Sequence, residues 1–403
     1  MKPDTRLAID GGQPVRRTIL PYGHQWLDEE DIASVVEVLR SPWLTTGPKV
    51  DEFEQSFARF VGTREAVAVS SGTAALHSAM YALGIGPGDE VIVPAMTFAA
   101  TANSVVFQGG TPVFADVDND TLLLNSADVE AKITARTKAI IAVDYAGQPC
   151  NYDALRALAS EHNLGLLADA CHSLGASNGK KPVGTLADLT VFSFHPVKHI
   201  TTGEGGMIVT DSREFAEKLR RFRNHGMSID HHRRTDMSTW HYEMIDIGYN
   251  YRLTDFQCAL GIKQLKKIPS WLGKRQLIAN LYDEAFANLP TLTPLKTRKH
   301  VFHAYHLYVV CLNLSKLSVD RTKIFQALRT EGIGVNVHYI PVHLHPYYQR
   351  RFGTGPGLCP IAEDRYEEII TLPIYPKMTE DDVKDVIDAV TKVTNQYFAE
   401  HRT

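Results

Sequence analysis

The chain has 403 residues, 44% apolar and 22% charged, enough for one large buried core or two unequal ones. A net charge of −4 gives no electrostatic reason to expect nucleic acid or an anionic membrane as a partner. Five cysteines, odd in number and in no CxxC pair, argue against a disulfide framework or a zinc knuckle and suit a reducing cytoplasm.

The start, Met1 to Arg6, lacks the apolar stretch of a signal peptide. No apolar run approaches the roughly 20 residues of a membrane helix, so a cytoplasmic protein is expected. Residues 1–25, rich in proline and glycine, read as an N-terminal arm rather than a packed element. Residues 28–39 predict a helix with Ile32, Val35, Val36 and Leu39 on its buried face. Ser41 to Pro48 breaks it, and a second helix runs from Asp51 to Phe60, stopped at Gly62.

From there strands and helices alternate. Strands are predicted at 66–69, 91–93, 112–115, 139–143, 165–168, 189–194 and 206–210. Helices fall at 74–83, after Pro94 through Val106, and at 152–161. Apolar strands of this continuity, separated by helices, imply a mostly parallel sheet covered on both faces. Ser228 to Glu243 is a polar insert read as a loop, with His231 and His232 in solvent. Leu253 to Leu265 is helical, and near Pro269 the rhythm changes. Strands at 305–312 and 333–339, a helix at 321–328 and a last helix capped by Thr379 predict a second, smaller α/β domain. In that helix Val383, Val386, Ile387, Val390 and Val393 share a face. The division is therefore arm 1–25, large domain 26–265 and small domain 266–403.

Three places carry chemistry. Ser70-Ser-Gly-Thr73 joins a strand to a helix, and free amides plus the helix dipole make such a junction a phosphate site; an ordinary N-cap is the bland alternative. Asp169 ends an apolar strand, where ligands of open α/β sheets bind, and a carboxylate there can keep a pyridine nitrogen protonated. A solvent-facing loop aspartate is its alternative. Lys198 follows another strand in the glycine- and threonine-rich run Phe192 to Met207. A lysine that loses hydration there has a lowered pKa and forms Schiff bases, unless it is simply a solvated loop residue. Phosphate loop, strand-end aspartate, then a strand-end lysine 29 residues on is the order of pyridoxal phosphate on a fold type I aminotransferase.

Gly47 to Glu54, Ser71 to Leu76, Pro94 to Thr101, Asp169-Ala-Cys-His172, the Lys198 segment and Gly248 to Asp255 extend the pattern. Over nearly its whole length the sequence resembles the DegT/DnrJ/EryC1/StrS family of nucleotide-sugar aminotransferases. The resemblance implies an aspartate aminotransferase-like fold with pyridoxal 5'-phosphate as cofactor. It implies Lys198 as the Schiff-base lysine, Asp169 on the pyridinium nitrogen, His172 near the ring and Phe98 stacked on it. Ser71, Gly72, Thr73 and Ser193 would hold the phosphate. Asn250 would reach the phosphate of a neighbouring subunit, which implies a homodimer with shared sites. Dehydratase members replace this lysine by histidine, so the intact Lys198 implies transamination, with L-glutamate as donor.

Pro21-Tyr22 with Leu27 to Ile32, Val143 to Gly147, Phe192 to His195 and Ile200 to Thr202 are similar to the branch serving pseudaminic acid biosynthesis. That implies UDP-4-keto-6-deoxy-N-acetylhexosamine as acceptor, with Tyr22, His195, Arg252, His338 and His343 as candidate substrate contacts. Ser228 to Trp240 and His343-Leu-His345 depart from the branch, so other nucleotide keto-sugars (dTDP- or GDP-linked, C3 or C4) stay open. His338, His343 and His345 lack helical i, i+4 spacing and an acidic neighbour, and no metal site is expected. Two rivals remain. One is a non-catalytic regulator on the same fold. The other is an amino-acid aminotransferase clamping an α-carboxylate with Arg350, Arg351 or Arg365.

Overall fold

The computed structural model describes residues 6–228 and 238–399. Helix α1 (Glu29–Leu39) is fixed at its start by a capping box in which Asp28 and Asp31 each accept from the other's end of the first turn. Its buried face is not the one predicted. Ile32 and Leu39 are about half exposed, whereas Asp31, Ser34 and Val38 are buried. The reason is polar: the Asp31 carboxylate takes Gln264 Nε2 and Lys267 Nζ, each at 2.7 Å, and turns that side of the helix inward.

After α2 (Pro48–Val61) the chain enters its main sheet. The strands are β1 (Glu65–Val69), β2 (Glu90–Pro94), β3 (Thr111–Ala115), β4 (Thr137–Val143) and β5 (Gly165–Asp169). Then comes a two-residue hairpin, β6 (Ser177–Asn178) and β7 (Lys181–Pro182), and after it β8 (Leu189–Ser193) and β9 (Gly206–Thr210). The hairpin lies outside the sheet, whose order is β1-β9-β8-β5-β4-β2-β3. Only β9 runs antiparallel to its neighbours, so β1, β2, β4, β5 and β8 all end at one edge. Helices α3 (Gly72–Ala82) and α4 (Ala99–Phe107) begin just beyond that edge. Val67, Val91 to Val93, Ile140, Ile141, Leu166 and Leu167 are fully buried, as a sheet covered on both faces requires.

A helix from Asp255 to Phe286 then crosses from one core to another. Cys258, Ile262, Leu265 and Leu272 belong to the core of the main sheet, whereas Ile278, Tyr282 and Phe286 belong to the second. The helix passes through Pro269 without ending there, so residue 265 lies inside it. Packing along both flanks outweighs the one hydrogen bond that proline cannot donate. The second core packs around the antiparallel sheet of β10 (Leu292–Pro294), β12 (Tyr308–Leu312) and β13 (Ile369–Leu372). Strand β11 (Val301–Phe302) pairs with β6 instead. The final helix, Glu380–Gln396, is capped by Thr379 and buries Val383, Val386, Val390 and Val393.

Two expectations change here. Residues 333–339 form no strand; they make single bridges, Ile333 to Leu20 of the N-terminal segment and Asn336 to Thr371 of β13. The N-terminal segment does pack: Leu7 and Leu20 are buried in the second core. Arg16 pairs with Asp382 and Asp385 at 2.7 Å, and Glu331 accepts from the amides of Ala8 and Val15.

Candidate active site

The strand ends open into a cavity of about 570 Å³. At one end α3 starts where β1 stops. Ser71 is its N-cap, the hydroxyl accepting from Ala74 N at 3.0 Å. The first-turn N–H groups of Gly72 and Thr73 are left over by helix geometry and face an anion favourably. The junction is tight. A Cβ on Gly72 would lie 2.9 Å from Ser193 Cβ, and one on Gly206 would lie 2.5 Å from the Ser71 carbonyl oxygen. Glycine at both positions lets the helix end settle against β8 and β9.

Asp169, the last residue of β5, is 6% exposed. Its Oδ2 accepts from Thr101 Oγ1 at 2.8 Å, and Thr97 Oγ1 lies 2.8 Å from Thr101 Oγ1. Its Oδ1 accepts from Cys171 N at 3.3 Å. The carboxylate is thus aimed from both sides. Lys198 stands in a turn beyond β8, with its N–H donating to the His195 carbonyl at 2.8 Å. Burial pulls its amine below the ordinary lysine range, with the Cys171 thiol and the Asp169 carboxylate opposing. His172 is buried, its Nε2 3.1 Å from Tyr339 Oη. Burial, then the charge of Lys198, pushes its pKa well down, so the ring is neutral.

The facing wall comes from Tyr22 and from Asn336 to Tyr339. His338 Nδ1 lies 2.9 Å from Thr371 Oγ1, and its ring sits 5.2 Å from Tyr22. Phe98 stands at the mouth, 60% exposed, its ring 5.9 Å from that of Tyr339.

Of the candidates read from sequence, Tyr22, Ser71, Gly72, Thr73, Phe98, Asp169, His172, Ser193, His195, Lys198 and His338 line this one cavity. Three do not. Asn250 is exposed and bridged through its backbone to Asn224. Arg252 donates to Asn224 Oδ1 at 2.7 Å. His343 is fully buried, its Nε2 2.8 Å from Glu363 Oε1, so within this chain it has no face left for a substrate. His231 and His232 lie outside the described residues. Arg365 is held by Asn119 and Glu368, and among the described residues no arginine lines the cavity. Nor is any cluster of three or more histidine, cysteine or acidic side chains among them placed to hold a metal ion.

Sequence reasoning missed Thr97, Thr101, Cys171, Glu204, Asn336 and Tyr339 as cavity residues. The two threonines carried a signal, an i, i+4 pair at a helix start after a strand. Asn336 and Tyr339 carried none.

A lysine and an aspartate at adjacent strand ends, facing a helix N-terminus across an open α/β sheet, define a pyridoxal-phosphate enzyme of fold type I. The chain belongs to the DegT/DnrJ/EryC1/StrS aminotransferase family, whose model matches residues 25–391. It is 44% identical over 380 residues to the spore coat polysaccharide biosynthesis protein SpsC of Bacillus subtilis, covering 94% of this chain and 98% of that one. Among solved structures it is similar to Helicobacter pylori PseC, an aminotransferase involved in the biosynthesis of pseudoaminic acid. There the TM-score is 0.88 at 35% identity, covering 94% of this chain and 100% of that one. The putative sugar aminotransferase Spr1654 of Streptococcus pneumoniae, in its PMP-form, superposes with a TM-score of 0.89 at 33% identity, covering 94% and 99%; a PLP-form of it is also known. The protein is a pyridoxal-phosphate-dependent sugar aminotransferase.

Proposed function

We propose that the cavity holds pyridoxal phosphate through Lys198 and moves an amino group from L-glutamate to a nucleotide-linked 4-keto-6-deoxy sugar. The observation that carries this reading is the meeting of the α3 N-terminus, the Asp169 carboxylate and the Lys198 amine in one cavity. The residues suit the group: Gly72 and Thr73 offer unpaired amides, Ser193 a hydroxyl, and Gly72 the close approach that a phosphate needs. When bound, the cofactor supplies an aldehyde for the amine and a ring that withdraws electrons.

Asp169, oriented by Thr101 and the Cys171 amide, keeps the ring nitrogen protonated. Neutral His172 would lie beside the ring without adding charge, and Phe98, at the mouth, would cover it. Lys198, once released, moves a proton at the substrate carbon as base and then acid. Its lowered pKa leaves more of the neutral amine than an ordinary lysine would have. On the facing wall Tyr22, His195 and His338 offer hydroxyl and imidazole groups to a sugar.

For the acceptor we propose UDP-4-keto-6-deoxy-N-acetylhexosamine, in bacterial surface glycan or pseudaminic acid biosynthesis. The similarity to PseC and the Val143 to Gly147 stretch support it. The higher identity to SpsC favours a second reading, another nucleotide keto-sugar destined for polysaccharide. We further propose a homodimer in which Asn250 and Arg252 reach the partner's cavity. Trp240, Met244 and Ile247 beside them are 85%, 67% and 71% exposed, a patch that asks to be covered, and Ile32 and Leu39 of α1 are exposed too. No helix among the described residues is long and apolar enough to cross a membrane. The five free thiols support a cytoplasmic setting.

A coupled assay with glutamate and a panel of nucleotide keto-sugars tests the reading. The highest kcat/KM is expected with the UDP-linked 4-keto-6-deoxy-N-acetylhexosamine. Turnover of 2-keto acids but of no nucleotide sugar would contradict it, and turnover of any kind removes the regulator.

A further inference from the structure

Lys198 borders a second space. Beside the cavity lies a crevice of about 10 Å³, room for one water, bounded by Trp26, Lys198, His199, Thr201, Gln264 and Arg275. Two buried side-chain atoms of these residues have no partner among the described residues, Arg275 Nε and His199 Nδ1. The Thr201 hydroxyl and the Gln264 amide nitrogen are engaged. Thr201 Oγ1 donates to the Phe194 carbonyl at 3.0 Å and accepts from Gly203 N at 2.9 Å. Gln264 Nε2 donates to the Trp26 carbonyl at 3.1 Å and to Asp31 Oδ2 at 2.7 Å.

The two unpartnered atoms are complementary. Arg275, 2% exposed, pairs with no carboxylate among the described residues; one of its terminal nitrogens donates to the carbonyls of Tyr305, His306 and Ile374 at 3.0, 3.4 and 2.9 Å. Its Nε–H is a spare donor. His199, 4% exposed, has Nε2 at 3.0 Å from the Ala304 carbonyl oxygen. A carbonyl only accepts, so Nε2 carries the proton and Nδ1 of the neutral ring is a spare acceptor. Burial holds the ring neutral. One donor and one acceptor around space for one molecule match a water that accepts from Arg275 and donates to His199. An anion there would face the His199 lone pair.

We propose that this crevice is the water site of the reaction, with Arg275 and His199 as positioning residues that hold one water behind Lys198. The inference rests on Lys198 as the Schiff-base lysine. Each amino group taken from the donor consumes one water. The carbon–nitrogen double bond at the donor's α-carbon is broken, the water oxygen becomes the keto oxygen of the product, and both its hydrogens end on the nitrogen retained by the enzyme. Loading the acceptor returns one water. Lys198 lines both crevice and cavity, so its movement on release during turnover would bring the two together.

A high-resolution crystal structure of the pyridoxal phosphate-loaded enzyme should show an ordered water within hydrogen-bond distance of Arg275 Nε and His199 Nδ1. In single-turnover absorbance measurements with glutamate, His199→Phe should slow the half-reaction roughly 10–100-fold with glutamate affinity unchanged. His199→Asn, which keeps an acceptor near the Nδ1 position, should recover most of that rate. A purely structural role would make the folded Phe and Asn variants react alike. No density in the crevice, an anomalous peak there after bromide soaking, or a wild-type rate in His199→Phe would overturn the proposal. Borohydride labelling of each variant separates the two readings. Label away from Lys198 removes the lysine assignment, whereas label on Lys198 without a crevice water removes the water site alone.

Discussion

The two walls of the cavity are built differently. One is an edge of regular structure, where β1, β5 and β8 deliver Ser71 to Thr73, Asp169 and the Ser193 to Lys198 turn to one line. Backbone ladders set that spacing. The other is irregular: Tyr22 and Asn336 to Tyr339 are more than three hundred residues apart in sequence and are held by isolated backbone bonds, Ile374 N to the Tyr22 carbonyl and the Asn336–Thr371 pair, together with side chains. Asn336 Nδ2 sits 3.4 Å from His338 Nε2, and Tyr339 reaches His172. The difference assigns labour. Chemistry shared by a class suits the wall that a sheet makes rigid, and substrate choice suits the wall that can change without unpairing a strand.

The largest effects should come from the rigid wall. Lys198→Ala should abolish turnover, and retained activity would put the chemistry elsewhere. Asp169→Asn should lower kcat by roughly 10²–10⁴ while cofactor affinity, read from visible absorbance, changes far less. Near-normal turnover would give the role to another acid. Mixing Lys198→Ala with Asn250→Ala chains sharpens the comparison by adding a second subunit. With random exchange half the dimers are mixed and each has one intact site, so about a quarter of wild-type activity should return. No rescue under exchange proven with tagged chains would confine Asn250 to its own subunit.

The irregular wall should yield smaller, selective losses. Tyr22→Phe removes one hydroxyl, so about 1 kcal/mol, roughly a fivefold rise in KM for the sugar, is expected with the glutamate half-reaction unchanged. An equal loss in both half-reactions would erase the distinction between the walls. The gentlest probe is pH. Burial holds His338 and His303 down at about 3, and His172, His199 and His306 well below the usual 6.5. The unfolded chain takes protons below 6.5 that the folded one refuses. Stability is therefore full above that pH and lost on the way toward 3, by about 1.4 kcal/mol per pH unit per histidine. Urea midpoints of the cofactor-free protein at pH 7 and 5 check the sign, and a flat profile contradicts it.

The rigid wall was also the legible one. Apolar runs ending in Asp169 and Ser193 announce strands and their ends because alternation of strand and helix leaves few other arrangements. Ser71 to Thr73 shows how two readings can both hold, since Ser71 caps the helix while Gly72 and Thr73 keep their amides free. The irregular wall was not legible. Val335 and Val337 gave residues 333–339 the look of a strand, yet only single bridges form. Asn336 and Tyr339 became cavity residues through contacts with Thr371 and His172, which no local pattern encodes. His343 misled for the opposite reason: its partner Glu363 is 20 residues away and closes around it. Helix α1 buries a face rotated from the expected one because Asp31 found Lys267 and Gln264, contacts of long range that periodicity cannot see.

The most direct test of the account is borohydride reduction of the loaded enzyme followed by peptide mapping. The pyridoxyl group should appear on the peptide carrying Lys198, and only there. Label on any other lysine would contradict the account.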